Sequence, residues 1–263
     1  MTGNTSARQA QPDMVALFVS DLHLQESTPA TTVAFLNFLQ QHARHARQLY
    51  LLGDLFEYWA GDDDLDAPLN RRIVNALRAV SDAGTELFWI GGNRDFLIGD
   101  GFLNAIRAKR LADGSVVHIA GHTIVLAHGD AQCTDDVAYM AFRQQVRQAD
   151  WQLGFLATPL AQRKAIIEKM REQSRAAQRE KSVEIMDVNR TAIDDLFASS
   201  ATTCMIHGHT HRPAAHCSNH GGKTTMRYVL PDWDSSAKPP RGGWIGIDTG
   251  GAIQCFNSDG AAA

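Results

Sequence analysis

A chain of 263 residues with a formal net charge of −4 and 21% charged residues suits one α/β domain with an insertion, and it lacks the basic excess that nucleic-acid binding requires. Four cysteines, Cys133, Cys204, Cys217 and Cys255, are scattered without a Cys-x-x-Cys pair, which argues against a thiolate zinc site or a disulfide framework and for reduced thiols. The first 13 residues are polar and no run approaches the roughly 18 to 20 apolar residues of a membrane span, so neither export nor spanning is expected.

Taken in order, residues 15–20 form an apolar run that ends in Ser20-Asp21-Leu22-His23. Alternation along an extended segment points Asp21 and His23 to the same side. Helical spacing of Phe35, Leu36, Leu39 and Ala43 follows over 31–47, and then a second apolar run, 49–54, stops at Gly53-Asp54. This is a β-α-β unit. Parallel strands buried on both faces read as continuous apolar runs, and α/β proteins carry their chemistry outside the carboxyl ends of those strands. Residues 56–59 read as core or pocket wall, and Asp62-Asp63-Asp64 as a solvated loop or helix cap.

A helix over 70–80 leads to a third strand, 87–91, and to Gly91-Gly92-Asn93-Arg94-Asp95, whose glycines admit close backbone approach. Residues 116–119 and 123–127 read as a hairpin ending in His128-Gly129-Asp130. From 134 to 196 the pattern is helical with no strand signal, a helical insertion, and residues 140–190 hold ten Lys or Arg against six Asp or Glu. Its Trp151, Leu153, Phe155, Leu156 and Leu160 suit either a packing face between helices or an amphipathic element for a membrane surface or acylated ligand. Strand grammar resumes at 203–206 before His207 and His209, and 223–230, 243–247 and 252–256 read as short strands extending a second sheet.

Strand ends thus deliver seven candidate ligands: Asp21, His23, Asp54, Asn93, His128, His207 and His209. Oxygen and imidazole donors without thiolate suit borderline or harder divalent ions such as Mn²⁺, Fe²⁺ or Zn²⁺. Seven donors exceed what one such ion uses with a position left for water, so two ions are expected, bridged by Asp54.

The ordered set Asp21-x-His23, Gly53-Asp54, Gly92-Asn93, His128 and Gly208-His209-Thr210-His211 resembles the calcineurin-like metallophosphoesterases. The resemblance implies an α/β/β/α sandwich of two β-sheets flanked by helices, a single domain over 13–263, and an insertion at 134–196 that forms a lipid-binding cap. It implies that Asp21, His23, Asp54 and His209 hold one metal, and that Asp54, Asn93, His128 and His207 hold the other, with Mn²⁺ the expected ion. Arg94 stands where many members carry a histidine that assists the leaving group. Arginine cannot donate a proton near neutral pH, but its planar fork can hold two phosphate oxygens, so a leaving group needing little protonation is implied.

Longer blocks, among them Gly53-Asp54-Leu55-Phe56-Glu57, Gly92-Asn93-Arg94-Asp95-Phe96-Leu97 and Ile206-His207-Gly208-His209-Thr210-His211, are similar to the branch that cleaves the pyrophosphate of a lipid-linked UDP-sugar. That likeness implies substrate contacts from Asn93, Arg94, Asp136, Ser174, Gln178, Lys181 and His207, with Arg94 and His207 serving catalysis. It also implies a peripheral position on the cytoplasmic side of the inner membrane, against an anionic lipid surface, and no obligate protein partner.

Overall fold

The apolar runs pair as strands in the computed structural model, which describes residues 13–180, 187–220 and 222–263, the side chains of 173–180 and 220 excepted. Strand β1 (Met14–Val19), helix α1 (Pro29–Gln41), β2 (Gln48–Leu52), α2 (Pro68–Asp82), β3 (Glu86–Ile90), α3 (Asp100–Ile106) and β4 (Ala108–Arg110) alternate through the first half. The hairpin β5 (Ser115–Ile119) and β6 (His122–Leu126) precedes four helices, α4 (Val137–Val146), α5 (Ala149–Leu156), α6 (Leu160–Glu180) and α7 (Arg190–Ser200). Five strands close the chain: β7 (Cys204–His207), β8 (Ala214–His220), β9 (Lys223–Val229), β10 (Gly243–Asp248) and β11 (Ile253–Asn257).

One sheet has the order β11-β10-β1-β2-β3-β4 and the other β5-β6-β7-β9-β8. Alternate side chains of the first sheet serve two cores, as the period of a strand demands. Leu49, Leu51, Leu87 and Trp89 meet Phe35, Phe38, Ile73, Leu77 and Phe102 of the outer helices. Ala16, Phe18, Tyr50, Leu52 and Ile90 turn inward, onto Ile124, Leu126 and Ile206 of the second sheet. The far face of that sheet, with Val125, Ala127 and Met205, is covered by Ile193 and Phe197 of α7. The layers are therefore α/β/β/α.

Three expectations change. The segments at 243–247 and 252–256 do not extend the second sheet: β10 pairs antiparallel with β1 and β11 with β10, at the edge of the first. Helix α1 stops at Gln41 rather than 47, because a 3-10 turn at Ala43–His45 follows and Thr85 Oγ1 donates to the carbonyls of Ala43 and Ala46, each at 3.0 Å. And α7 belongs to the layer on the second sheet, so the helical segment near the strand ends is α4 to α6. No helix among the described residues is long and apolar enough to cross a membrane.

Candidate metal centre

Loops at the carboxyl ends of β1, β2, β3, β6 and β7 meet, and backbone hydrogen bonds fix their spacing. The amides of Asp21 and His23 donate to the carbonyls of Gly53 (3.1 Å) and Asp54 (3.0 Å), and the Gly208 amide donates to the His128 carbonyl (2.8 Å). The buried Asp95 carboxylate accepts from the amides of Leu55 (2.8 Å) and Gly92 (2.9 Å), joining the second loop to the third. Burial, reinforced by the Asp54 charge, raises Asp95 to about 6. The approach is close enough that a Cβ on Gly92 would lie 2.1 Å from Asp54 Oδ1.

Five side chains of the cluster sit on left-handed backbone: Asp21 (φ 54°), His23 (47°), Asp54 (54°), His209 (67°) and His211 (55°). Each such non-glycine residue costs on the order of 1–3 kcal/mol, and such strain concentrates at functional sites, where surrounding structure over-determines it. The hydrogen bonds just described, with the His209 amide on Asp21 Oδ2 (2.8 Å) and the Arg94 amide on Asp54 Oδ1 (2.8 Å), provide that restraint.

Donor atoms converge at two points. Around the first, His23 Nε2 is 3.9 Å from both Asp21 Oδ1 and Asp54 Oδ2, and His211 Nε2 is 3.4 Å from Asp21 Oδ1 and 3.2 Å from His23 Nε2. Around the second, Asn93 Oδ1 lies 2.9 Å from both His128 Nε2 and His209 Nδ1, and His128 Nε2 is 3.6 Å from Asp54 Oδ1. Asp54 faces both points. Asp21, His23 and His211 form one group with metal-binding spacing, and Asp21, Asp54 and His128 another.

The structure places His207 apart from these donor atoms and brings His211 among them. Strand β7 is still paired at His207, opposite Val229, so the imidazole stays on the sheet face that carries Met205 and Arg227. There its Nδ1 lies 2.8 Å from the Gly208 carbonyl and its Nε2 accepts from Arg227 Nη1 at 2.9 Å. Burial, with Arg227 beside it, lowers this histidine to about 3. The chain leaves the sheet only at Gly208, so His209 and His211 are the histidines that reach the loop cluster.

The field of the cluster attracts positive charge. Burial opposes a proton on His128, yet Asp54, Asp21 and Asp130 raise it to about 9. Asp21, although buried, is held well below the usual carboxylate range by His211, His128 and His23. Burial and the charge of His128 lower His209 to about 4. The buried Asp21 Oδ1 makes no hydrogen bond of good geometry among the described residues. Converging carboxylate, amide oxygen and imidazole, with no thiolate, fit divalent cations, which bind such groups in place of protons.

A cavity of about 780 Å³ opens beside the cluster. His23, Asp54, Asn93, Arg94, His209 and His211 line one part, and Phe96, Leu97, Phe142, Trp151, Phe155, Ile167 and Met170 another. Trp151 and Phe155 stack at 5.0 Å, and Arg94 Nε is buried with no partner among the described residues. Asp136 lines the cavity and also caps α4, accepting from the Tyr139 amide at 3.1 Å. Ser174 and Gln178 fall on the part of α6 whose side chains are not described, and Lys181 lies outside the described residues.

Several neighbours were not legible as site residues. Arg163, almost fully buried, donates to the Ala60 carbonyl and pairs with Asp63, and Lys164 Nζ is 2.7 Å from Asp64 Oδ1. The acidic run 62–64 thus divides its work: Asp63 and Asp64 hold α6, while Asp62 accepts from the amides of Gly99 and Phe102, both at 3.0 Å. Arg143 of α4 meets Asp130 (2.9 Å) and Asp113 (3.0 Å), and Asp113 in turn accepts from the His128 amide. Only His211 carried a signal in the sequence, the repeat of histidine at every second position through 207–211.

Comparison with known proteins gives a concordant picture. The family description "Calcineurin-like phosphoesterase" matches residues 14–232. A protein of Aromatoleum aromaticum named UDP-2,3-diacylglucosamine hydrolase is 49% identical over 224 residues, 85% of this chain and 91% of that protein. Proteins of the same name from Klebsiella pneumoniae (47% over 222 residues, 84% of this chain and 92% of the relative) and Cellvibrio japonicus (44% over 220, 84% and 91%) are also similar.

Proposed function

The chain belongs to the calcineurin-like phosphoesterase family, and from that premise we propose that it hydrolyses the pyrophosphate bond of UDP-2,3-diacylglucosamine, a step of lipid A biosynthesis. Attack of water on the α-phosphorus would give UMP and 2,3-diacylglucosamine 1-phosphate. The observation that carries this reading is the single cavity in which a carboxylate and histidine cluster faces an aromatic and aliphatic chamber. A soluble nucleotide would use the first wall and leave the second empty, whereas a diacylated UDP-sugar fills both.

Asp21, His23, Asp54 and His211 would hold one divalent cation, and Asp54, Asn93, His128 and His209 the other, with Mn²⁺ our choice for both. Bound there, the cations supply Lewis acidity at the phosphoryl group and lower the pKa of water. The chain's own groups orient and neutralise. Arg94, its amide tied to Asp54, would place its guanidinium on the phosphate oxygens as the leaving phosphate departs. His209, which lines the same cavity as Arg94, would meet those oxygens in the role that the resemblance gives to His207. Asn93 and Asp136 on the cavity wall, with Ser174, Gln178 and Lys181, would bind the head group, and the chamber around Trp151 and Phe155 the acyl chains.

We assign residues 134–196 to an insertion within one domain, its α4 to α6 portion acting as the cap. Val137, Leu153 and Ile166 on that cap are exposed, and together with the basic excess of the segment they support peripheral contact with an anionic inner-membrane leaflet from the cytoplasmic side. Incubation with UDP-2,3-diacylglucosamine and Mn²⁺ tests the activity. UMP release that stops on chelation is expected, and UDP as the product, or release indifferent to chelator, would refute it.

A further inference from the structure

Glu57 stands between the cap and the cluster. Its Oε2 lies 3.0 Å from His23 Nδ1, while Oε1 accepts from Arg171 Nη2 of α6. Nε2 of the same His23 ring faces Asp21 and Asp54. Glu57 and Arg171 are each 15% exposed at the side chain, so the pair is largely shielded from solvent, and the Arg171 guanidinium also lies 5.4 Å over the Tyr58 ring. One carboxylate therefore touches a group of the core site with one oxygen and the cap with the other.

We propose that Glu57 is a positioning residue for both: it holds the His23 ring with Nε2 turned toward Asp21 and Asp54, and through Arg171 it fastens helix α6 over the same half of the site. The inference rests on the reading of this cluster as a two-cation centre. Histidine ligands are oriented by what their outer nitrogen meets, and loss of that partner weakens metal binding about 10–100-fold. The second half has a separate support, since His128 Nδ1 lies 2.8 Å from the Leu52 carbonyl. Removing Glu57 should therefore be felt by one cation and not by the other. Reciprocity adds a second consequence: if α6 and a cation share Glu57, loading the cation should tighten α6.

Calorimetric titration of Mn²⁺ into the metal-stripped full chain, with amide hydrogen exchange of residues 160–172 followed with and without Mn²⁺, tests this. Glu57→Ala should weaken one of two binding steps by about 10–100-fold and leave the other within about threefold. Glu57→Gln keeps an acceptor oxygen and should fall between Glu57→Ala and wild type. Arg171→Gln should leave both steps near wild type and abolish the Mn²⁺-dependent slowing of exchange in α6. A residue needed only for folding would lower the melting temperature of the stripped chain and affect both steps equally. Equal loss of both, or wild-type binding in Glu57→Ala, overturns the proposal. No substrate enters the titration, so an error in the proposed substrate does not disturb it. Conversely, an active enzyme whose Glu57→Ala variant binds Mn²⁺ normally would sink the positioning role alone.

Discussion

Asp54 faces both donor groups, with His23 Nε2 3.9 Å from one oxygen and His128 Nε2 3.6 Å from the other. Replacing it by alanine should abolish turnover while the fold persists. Activity within about tenfold of wild type, equivalent to roughly 1.4 kcal/mol of barrier, would remove it from the bridging position. His207 and His211 separate two mechanisms of loss. His211→Ala should bind one cation fewer in metal analysis and melt near wild type. His207→Ala should keep both cations and lose about 1–3 kcal/mol of stability, because Arg227 is left without its buried acceptor. Metal loss from His207→Ala with an unchanged melting temperature would restore the ligand set first read from the sequence. Alternate positions share one side of a strand, so 207, 209 and 211 look equivalent in the sequence until the last paired residue of β7 is known.

At the scale of elements, what could be read depended on burial. Strands β1, β2, β3, β6 and β7 are largely buried and announce themselves as apolar runs that end at candidate ligands. Strand β8, Ala214–His220, is an edge strand of small and polar residues, and α3 has only seven residues, too few for a periodic signal. Sheet membership of β10 rests on pairing with β1, more than two hundred positions away, which no local pattern carries. The ties between α6 and the loop at 57–64 are equally remote, Arg163 pairing with Asp63 one hundred residues earlier. A consequence for the cap can be measured. Replacing Trp151 and Phe155 together by alanine should weaken a long-chain substrate at least tenfold more than a deacylated analogue while both cations stay bound. Equal losses on the two substrates would make the stacked pair ordinary helix packing.

For the whole molecule, two sheets carry the cluster on their joined loop ends, and one helical segment lays an apolar wall beside it, so that polar and apolar recognition share one space of about 780 Å³. Buried strands disclosed the α/β class and the loops that carry the chemistry, and the α/β/β/α layering was what the family resemblance implied. The juxtaposition with the cap depends on ion pairs such as Arg171 with Glu57 and Arg143 with Asp130, which become visible only in three dimensions. Burial of a methylene contributes about 0.8 kcal/mol, so enclosing as few as four of them favours a lipid-linked substrate by more than about a hundredfold. The most direct measurement is the ratio of kcat/KM for UDP-2,3-diacylglucosamine to that for the same UDP-sugar without acyl chains, taken with Mn²⁺ on the full chain. A ratio of about a hundred or more, with UMP released from both, is expected, and a ratio near one would contradict a site built to read the nucleotide and the acyl chains together.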